Sequence, residues 1–245
     1  MKLLQLNMWG GRLDNPIINL VKSLEPDILC VQEAIHIEDG KSGMFAVTEE
    51  VQLAMGAEYI FRSPIFTFDH MNRRADFGNC IISKYPIGET KTVFTTGEYI
   101  PNFEYLHDLP DGRNLQWAVL HLPDGQKLTV FNHHGHRIHE HKNGNAETMR
   151  QCKIIAKEIE KANGSVILCG DFNLVPESKS LKTINDLLTN LTLQVGLKTT
   201  RTYLTHKTEP CDYIFVNKAI NVISFQALPD IVSDHQALVM DFRLI

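Results

Sequence analysis

What most constrains this chain is the way its apolar runs are joined. Short strand-like runs recur from Leu3 to Leu244, and most are separated by turn signals too brief to contain a helix. Strands joined by tight turns pair antiparallel, while strands joined through a helix can pair parallel. A chain that mixes both connections builds mixed sheets, and its few amphipathic helices must bury their apolar stripes against a sheet face. The expected fold is therefore α/β (α+β), with two mixed β-sheets packed face to face and flanked by helices. No Pro/Gly-rich linker or low-complexity tract divides the sequence, so residues 1–245 read as one domain.

Residues 2–7 open as a strand. Asn15-Pro16 offers a cap and a first-turn proline, Ile17, Leu20, Val21 and Leu24 recur at helical spacing, and Pro26 ends that helix. Residues 27–32 form a short strand ending at Glu33. Val47, Val51, Ala54 and Met55 predict a second helix closed by Gly56. Strands are expected at 58–62, 79–83, 115–121 and 127–132, the last two joined at Pro123-Asp124-Gly125. A helix over 146–162 carries the stripe Met149, Cys152, Ile155, Ile159 and Ala162. The strand at 165–169 then runs into Gly170-Asp171-Phe172-Asn173. Leu181, Ile184, Leu187, Leu188 and Leu191 predict a further helix, and strands close the chain at 212–216, 220–227 and 237–244. One pattern occurs twice: an amphipathic helix, an apolar strand, then a carboxylate at that strand's end, once before Glu33 and once before Asp171.

Composition narrows the class. Apolar residues at 43% and charged residues at 22% exclude a disordered, collagen-like or coiled-coil chain. At 245 residues the chain can bury a core without disulfide or metal staples. Five cysteines, with no C-x-x-C pair, read as free buried thiols of a reducing compartment. No apolar run is long enough to span a membrane, and MKLLQLNMWGG lacks a secretory signal, so a cytoplasmic monomer is expected. The net charge of −5 weighs against non-specific nucleic-acid binding by the whole surface, though a local basic groove stays open.

The chemistry collects at strand ends. Asn7, Glu33, Asp171 and Asn173 follow apolar strands, Asp212 opens one, and Asp234-His235 precedes the last. Carboxylates and amides without thiolates suit a hard cation, Mg²⁺ or Mn²⁺. With such an ion, a carboxylate can activate water, and a histidine held by a second carboxylate can act on a phosphoryl group. Asp212 is a reasonable orienter of His235.

In this order, LLQLNMWGG, DILCVQEA, VFNHHGH, GDFNLVPES, CDYIFV and VSDHQALVMDF resemble the endonuclease/exonuclease/phosphatase superfamily of Mg²⁺-dependent phosphoesterases. The resemblance covers nearly the whole chain and implies a four-layer αββα sandwich. It implies that Glu33 binds the metal beside Asn7, with Asp234 at the same site. By the same resemblance Asp171 positions the water, Asn173 contacts the phosphate, and His235 contacts it too, oriented by Asp212. The family's mid-chain histidine maps onto His134, with His133 adjacent and Gly135 standing where the family usually has an apolar residue. The implied substrate is a phosphoester. A phosphodiesterase or nuclease acting on nucleic acid or nucleotide ends is the leading expectation, and a phosphatase or a phospholipid/sphingomyelin-type phosphodiesterase is the alternative. A non-catalytic binding module is remoter.

The chain also departs from the family. His133, His134, His136, His139 and His141 crowd one loop, open either to a transition-metal site or to one family histidine in a solvated loop. Arg137, Lys142 and Arg150 stand near this loop. Arg73 and Arg74 fall on the loop leading to the strand at 79–83, and with Arg137 they are the substrate-contact candidates. Residues 95–113, with Tyr99, Phe103, Tyr105 and His107, are candidates for a lid or a loop pinned by its own aromatics.

Overall fold

The computed structural model describes residues 1–38, 44–104 and 111–245. β1 (Lys2–Asn7) passes through a 3-10 turn (Trp9–Gly11) into α1 (Asp14–Leu24), and β2 (Ile28–Ile37) returns parallel to β1. After α2 (Thr48–Met55) come β3 (Tyr59–His70), β4 (Arg73–Ser83), β5 (Ile87–Thr96), β6 (Ile100–Phe103), β7 (Arg113–His121) and β8 (Lys127–His134). α3 (Ala146–Ile159) carries the chain over to β9 (Ser165–Asp171), parallel to β8. α4 (Lys182–Asn185), β10 (Thr189–Asn190), α5 (Leu191–Val195), β11 (Asp212–Val216), β12 (Ile220–Ala227) and β13 (Leu238–Leu244) complete it.

Two mixed sheets result, in the orders β12-β13-β1-β2-β4-β3-β6 and β10-β11-β9-β8-β7-β5. The repeated helix–strand pattern is a β-α-β unit in each sheet, β1-α1-β2 and β8-α3-β9. The period of two along each strand sorts the side chains. Leu3, Ile28, Cys30, Val130, Ile167, Cys169, Ile214 and Met240 meet between the sheets. Leu4, Leu6, Leu29 and Val31 face outward onto Ile17, Leu20 and Val21 of α1 and Val51 and Met55 of α2. Phe131, Val166 and Leu168 face Cys152, Ile155 and Ile159 of α3 on the other side. The four layers are thus helices, sheet, sheet, helices.

Several local expectations change. α1 starts at Asp14 and Asn15 does not cap it; Asp14 Oδ1 accepts the Asn15 N–H at 2.6 Å and puts an anion in the first turn. The strand from residue 27 does not stop at Glu33 but bulges there and runs on to Ile37. The strands at 58–62 and 79–83 are parts of the long β3–β4 hairpin, whose turn puts Met71 and Asn72 at positive φ (53° and 62°) without the glycine that usually signals it. Arg73 and Arg74 consequently sit in β4, not in a loop. The helix expected from Leu181 to Leu191 is broken. Thr189-Asn190 pairs with β11 instead, and the Asn190 side chain caps α5 by accepting the Leu193 N–H at 3.0 Å. On α3, Met149 is exposed rather than part of the buried stripe.

The interior between the sheets is not wholly apolar. Asn132 Nδ2 donates to Gln116 Oε1 at 3.2 Å, Gln32 Nε2 to Asn132 Oδ1 at 2.6 Å, and Gln5 Nε2 to Gln32 Oε1 at 2.8 Å. Gln5 Nε2 also reaches Asp212 Oδ1 at 3.3 Å. A line of buried amides therefore crosses the sandwich and ends under the carboxylate that holds His235.

Candidate active site

The functional strand ends of both sheets open on one mouth, a cavity of about 660 Å³ whose lining includes Glu33, His134, Asp171, Asn173, Asp234 and His235. Asn7 lies beneath it. Its Nδ2 donates to Asp171 Oδ2 at 3.1 Å and to Glu33 Oε1 at 3.3 Å, while its Oδ1 accepts the Trp9 N–H at 3.0 Å.

Glu33 reaches the mouth through the β2 bulge. By strand parity it belongs with Leu29 and Val31, which face the outer helices. A positive φ of 51° at Glu33 and the shifted pairing with β4 turn its side chain to the other face. The carboxyl is 24% exposed. Burial pushes it above the ordinary carboxylate range, and the nearby Asp171 and Asp234 act in the same direction against His235 and Asn7.

On the other sheet, β8 and β9 lie so close that a Cβ at Gly170 would meet the His133 carbonyl at 1.9 Å, and Gly170 has φ +146°. Gly135 follows the same logic, because a Cβ there would strike the Phe172 carbonyl at 2.3 Å. The glycine after His134 is therefore required by the close approach of this loop to Asp171-Phe172. His133 and His134 point to opposite faces. His133 packs edge-on to Phe172 with Nδ1 on the Asn114 carbonyl, and burial lowers its pKa to about 4. His134 faces the site, its Nε2 3.8 Å from Asp171 Oδ2 and 3.9 Å from Glu33 Oε1. Burial, then Arg113, hold His134 well below the usual imidazole range.

Asp171 Oδ1 accepts the Asn173 N–H at 2.9 Å, and its Oδ2 lies 3.6 Å from His235 Nε2. Burial alone would raise its pKa, but His235, Arg201, His134 and Lys142 together hold it well below the carboxylate range. Asn173, at φ 55°, donates from Nδ2 to the Gly135 carbonyl at 3.3 Å, and its Oδ1 accepts from the Lys142 ammonium. His235 Nδ1 is bound by both oxygens of the buried Asp212, at 3.0 and 2.9 Å. Thr200 Oγ1 donates to Asp212 Oδ2 at 2.6 Å and fixes that carboxylate. Burial opposes the charged imidazole, yet Asp212 and Asp171 win and raise the His235 pKa. Asp234 Oδ2 stands 3.7 Å from Arg201 Nη1.

The donor set fits a hard divalent cation. Glu33 and Asp234 offer carboxylate oxygens, while Asn7, expected as a ligand, turns Nδ2 to the site and keeps Oδ1 on the Trp9 N–H; Glu33 is a partly buried anion whose only hydrogen-bond donor among the described residues is that amide. A second convergence, Asp171, Cys211, Asp212 and His235, has its ligand atoms within 4.8 Å of one another. There Asp212 and Nδ1 already satisfy each other, and burial keeps the Cys211 thiol well above its ordinary pKa. That group supports the histidine. The crowded histidines do not gather: His133 faces away, His139 lines the cavity, and His141 is exposed.

Of the substrate candidates, Arg137 lies on the cavity rim. Arg73 and Arg74 are not brought into the lining; they pair with His70 and Asp69 near the tip of the β3–β4 hairpin. Tyr99 and Phe103 are tied down, Tyr99 Oη to Thr67 Oγ1 and Phe103 against Phe66 with ring centroids 4.6 Å apart. Tyr105 and His107 lie outside the described residues. Three buried cations escaped the sequence reading of the site: Arg113, Arg201, and Lys142 as the partner of Asn173. Arg113 is fixed by Gly135 O and Gly112 O at 2.9 and 2.7 Å. No local motif marks them, because their distance from the site in sequence is closed only by the fold.

A family model described as the Endonuclease/Exonuclease/phosphatase family matches residues 4–235. A UPF0294 protein of Vibrio cholerae is 29% identical over 134 residues; the match spans 53% of this chain and 44% of that protein, less than half its length. Among solved structures, an endonuclease/exonuclease/phosphatase from Beutenbergia cavernae superposes with a TM-score of 0.74 at 17% identity, covering 100% of this chain and 71% of its own. A mannosyl-6-phosphatase from Bacteroides thetaiotaomicron superposes at 0.70 and 16% identity, covering 100% of each. Among the described residues no helix is long and apolar enough to cross a membrane.

Proposed function

The chain belongs to the endonuclease/exonuclease/phosphatase family of phosphoesterase enzymes, and on that premise we propose that it hydrolyses phosphoester bonds with Mg²⁺ or Mn²⁺. One observation carries the reading. Asp171 sits in a single buried network with Asn7, Asn173 and His235 at the mouth both sheets share, beside the cation-poor Glu33.

Asp171 orients the attacking water. Held ionised, it is a weak base at neutral pH, so its main contribution is alignment. His235, with Asp212 behind Nδ1, presents Nε2 to the phosphoryl oxygens. Asn173 Nδ2, held by long bonds to the Gly135 carbonyl at 3.3 Å and Asp171 Oδ2 at 3.5 Å, would turn to the phosphate as a second donor, and Lys142 on Oδ1 fixes which end of the amide faces the site. His134 lies between Glu33 and Asp171 and borders the reacting centre. Glu33 and Asp234, beside Asn7, would hold the metal, which when bound neutralises a phosphoryl oxygen and the leaving oxygen.

Within this chemistry, phosphodiesters of nucleic acid or nucleotide ends are the first substrates proposed. The support is local: Arg12, Arg137 and Lys207 give the cavity a basic rim on an acidic chain. Arg73 and Arg74 would enter only with a substrate long enough to reach the hairpin tip. The mannosyl-6-phosphatase neighbour favours the phosphatase alternative. Five free buried thiols support a cytoplasmic setting.

The test is nicking of supercoiled plasmid in Mg²⁺, with His235→Ala purified alongside. Nicking by wild type alone supports the nuclease reading. Turnover of monoesters or lipid head groups without nicking moves the substrate to the alternatives. Silence on all of them removes the phosphoesterase assignment.

A further inference from the structure

Arg201 lies between α5 and β11, where no motif points to it. Its backbone forms an isolated bridge with His235, Thr202 N donates to Asp234 O at 3.1 Å, and Gln236 N donates to Thr200 O at 2.7 Å. The arginine and the histidine are therefore mounted on one short ladder and keep a fixed spacing. The Arg201 side chain is 5% exposed and lines the cavity.

Its head group is only partly satisfied. Nε is buried without a hydrogen-bond partner, and Nη1 is aimed at Nε2 of His235. Asp212 engages Nδ1 and so turns Nε2 toward Nη1, where the two nitrogens are in contact. Both groups line the cavity beside Asp171 and Asn173. The nearest carboxylates reach this pair only at ion-pair distance, Asp234 Oδ2 at 3.7 Å from Nη1 and Asp171 Oδ2 at 3.6 Å from Nε2. The other buried cations are committed elsewhere: Arg113 donates to two carbonyls and Lys142 to Asn173 Oδ1. An anionic oxygen entering the cavity beside this pair would take the place of His235 as the acceptor from Nη1, and the planar guanidinium fork suits a phosphoryl group.

We infer that Arg201 is a further catalytic residue, whose guanidinium grips the non-bridging oxygens of the substrate phosphoryl group together with Nε2 of His235. The inference rests on the phosphoesterase reading and deepens it. Charge on those oxygens is redistributed as the leaving bond breaks, and a preorganised buried donor pair stabilises it without reorganisation.

The experiment compares wild type, Arg201→Ala, Arg201→Lys and Asp171→Asn on bis(p-nitrophenyl) phosphate and p-nitrophenyl phosphate in Mg²⁺. Calorimetric binding of inorganic phosphate to the metal-free proteins runs beside it. Arg201→Ala should lower kcat by about 10²–10³-fold, the loss typical of removing one such donor. Added guanidinium chloride should restore part of it where equal sodium chloride does not, and Arg201→Lys, a point charge without the fork, should fall between. Phosphate should bind Arg201→Ala more weakly than wild type. A kcat within about threefold of wild type would overturn the grip, since one donor of this kind is worth far more. So would a loss that guanidinium leaves untouched and that follows a lowered Tm, because Arg201 would then only brace the His235 loop. Silence of wild type on every ester would strike the phosphoesterase reading instead, and phosphate binding in wild type against Arg201→Ala would still decide the grip.

Discussion

The two sides of the mouth are built alike and charged differently. Each is the end of a β-α-β unit, β1-α1-β2 delivering Asn7 and Glu33, β8-α3-β9 delivering His134 and Asp171. On the first side the carboxylate is pushed toward its neutral form by burial and by like charges. On the second, His235, Arg201, His134 and Lys142 hold the carboxylate fully ionised. One half is short of a cation, while the other has more donors than its own acids use. On the proposed chemistry, that difference would put the metal on the Glu33 side and the phosphoryl group on the Arg201–His235 side.

The largest expected effect breaks the second half outright. Asp171→Asn or His235→Ala should each reduce kcat by about 10³–10⁴-fold, read in steady-state assays against a working substrate. Retention of activity within tenfold in either variant would dissolve the division of labour.

Glu33→Gln tests the first half. Magnesium affinity measured by calorimetry should fall about 10–100-fold, the range seen when a metal site loses one of its supports. Metal-free stability should move the opposite way. The folded-state pKa of Glu33 lies above its unfolded value, so its contribution is full below the unfolded pKa and is lost as pH rises through the folded one. Glu33→Gln should therefore remove a decline in Tm as pH rises across that window. A metal-free Tm that drops in the variant at neutral pH would count against the cation-poor description.

Asp212→Asn sharpens the second half. With its largest charge partner gone, the His235 pKa should fall, and the alkaline limb of kcat/KM should move to lower pH. The accompanying loss should be about tenfold to a hundredfold. An unmoved limb would assign that limb to another group.

The smallest effect concerns Lys142, whose pKa burial lowers from 10.5 to about 8. Between those values the unfolded chain keeps a proton that the native state has released, so stability rises with pH across that window. Lys142→Met should lack this slope and be more stable than wild type at pH 7 in thermal melts. Its kcat should fall by no more than about tenfold, because it positions Asn173 without touching substrate. An equal slope in both proteins would contradict the buried-ammonium description.

Much of the site is legible in the sequence because strand ends are. An apolar run that stops at Asp171, or one that begins at Asp212, puts a polar group at a sheet edge whatever the rest of the chain does. β1, β11 and β12 fall at 2–7, 212–216 and 220–227, as the alternation implies. Arg73 and Arg74 show the opposite case. A turn without glycine hid the hairpin, so strand residues near its tip read as a loop beside the site.

The two-sheet architecture, the helix–strand repeat and the acids and amides that cap the strands can be read from the amino acids alone. Those follow from periodicity and turn chemistry, which are local. Long-range packing instead set the bulge that turns Glu33 from the helix face to the site. It alone joined Gln116, Asn132, Gln32 and Gln5 into the amide line under Asp212, and set Arg201 against His235. These depend on backbone dihedrals at single residues and on contacts between distant segments. No window of sequence contains both partners.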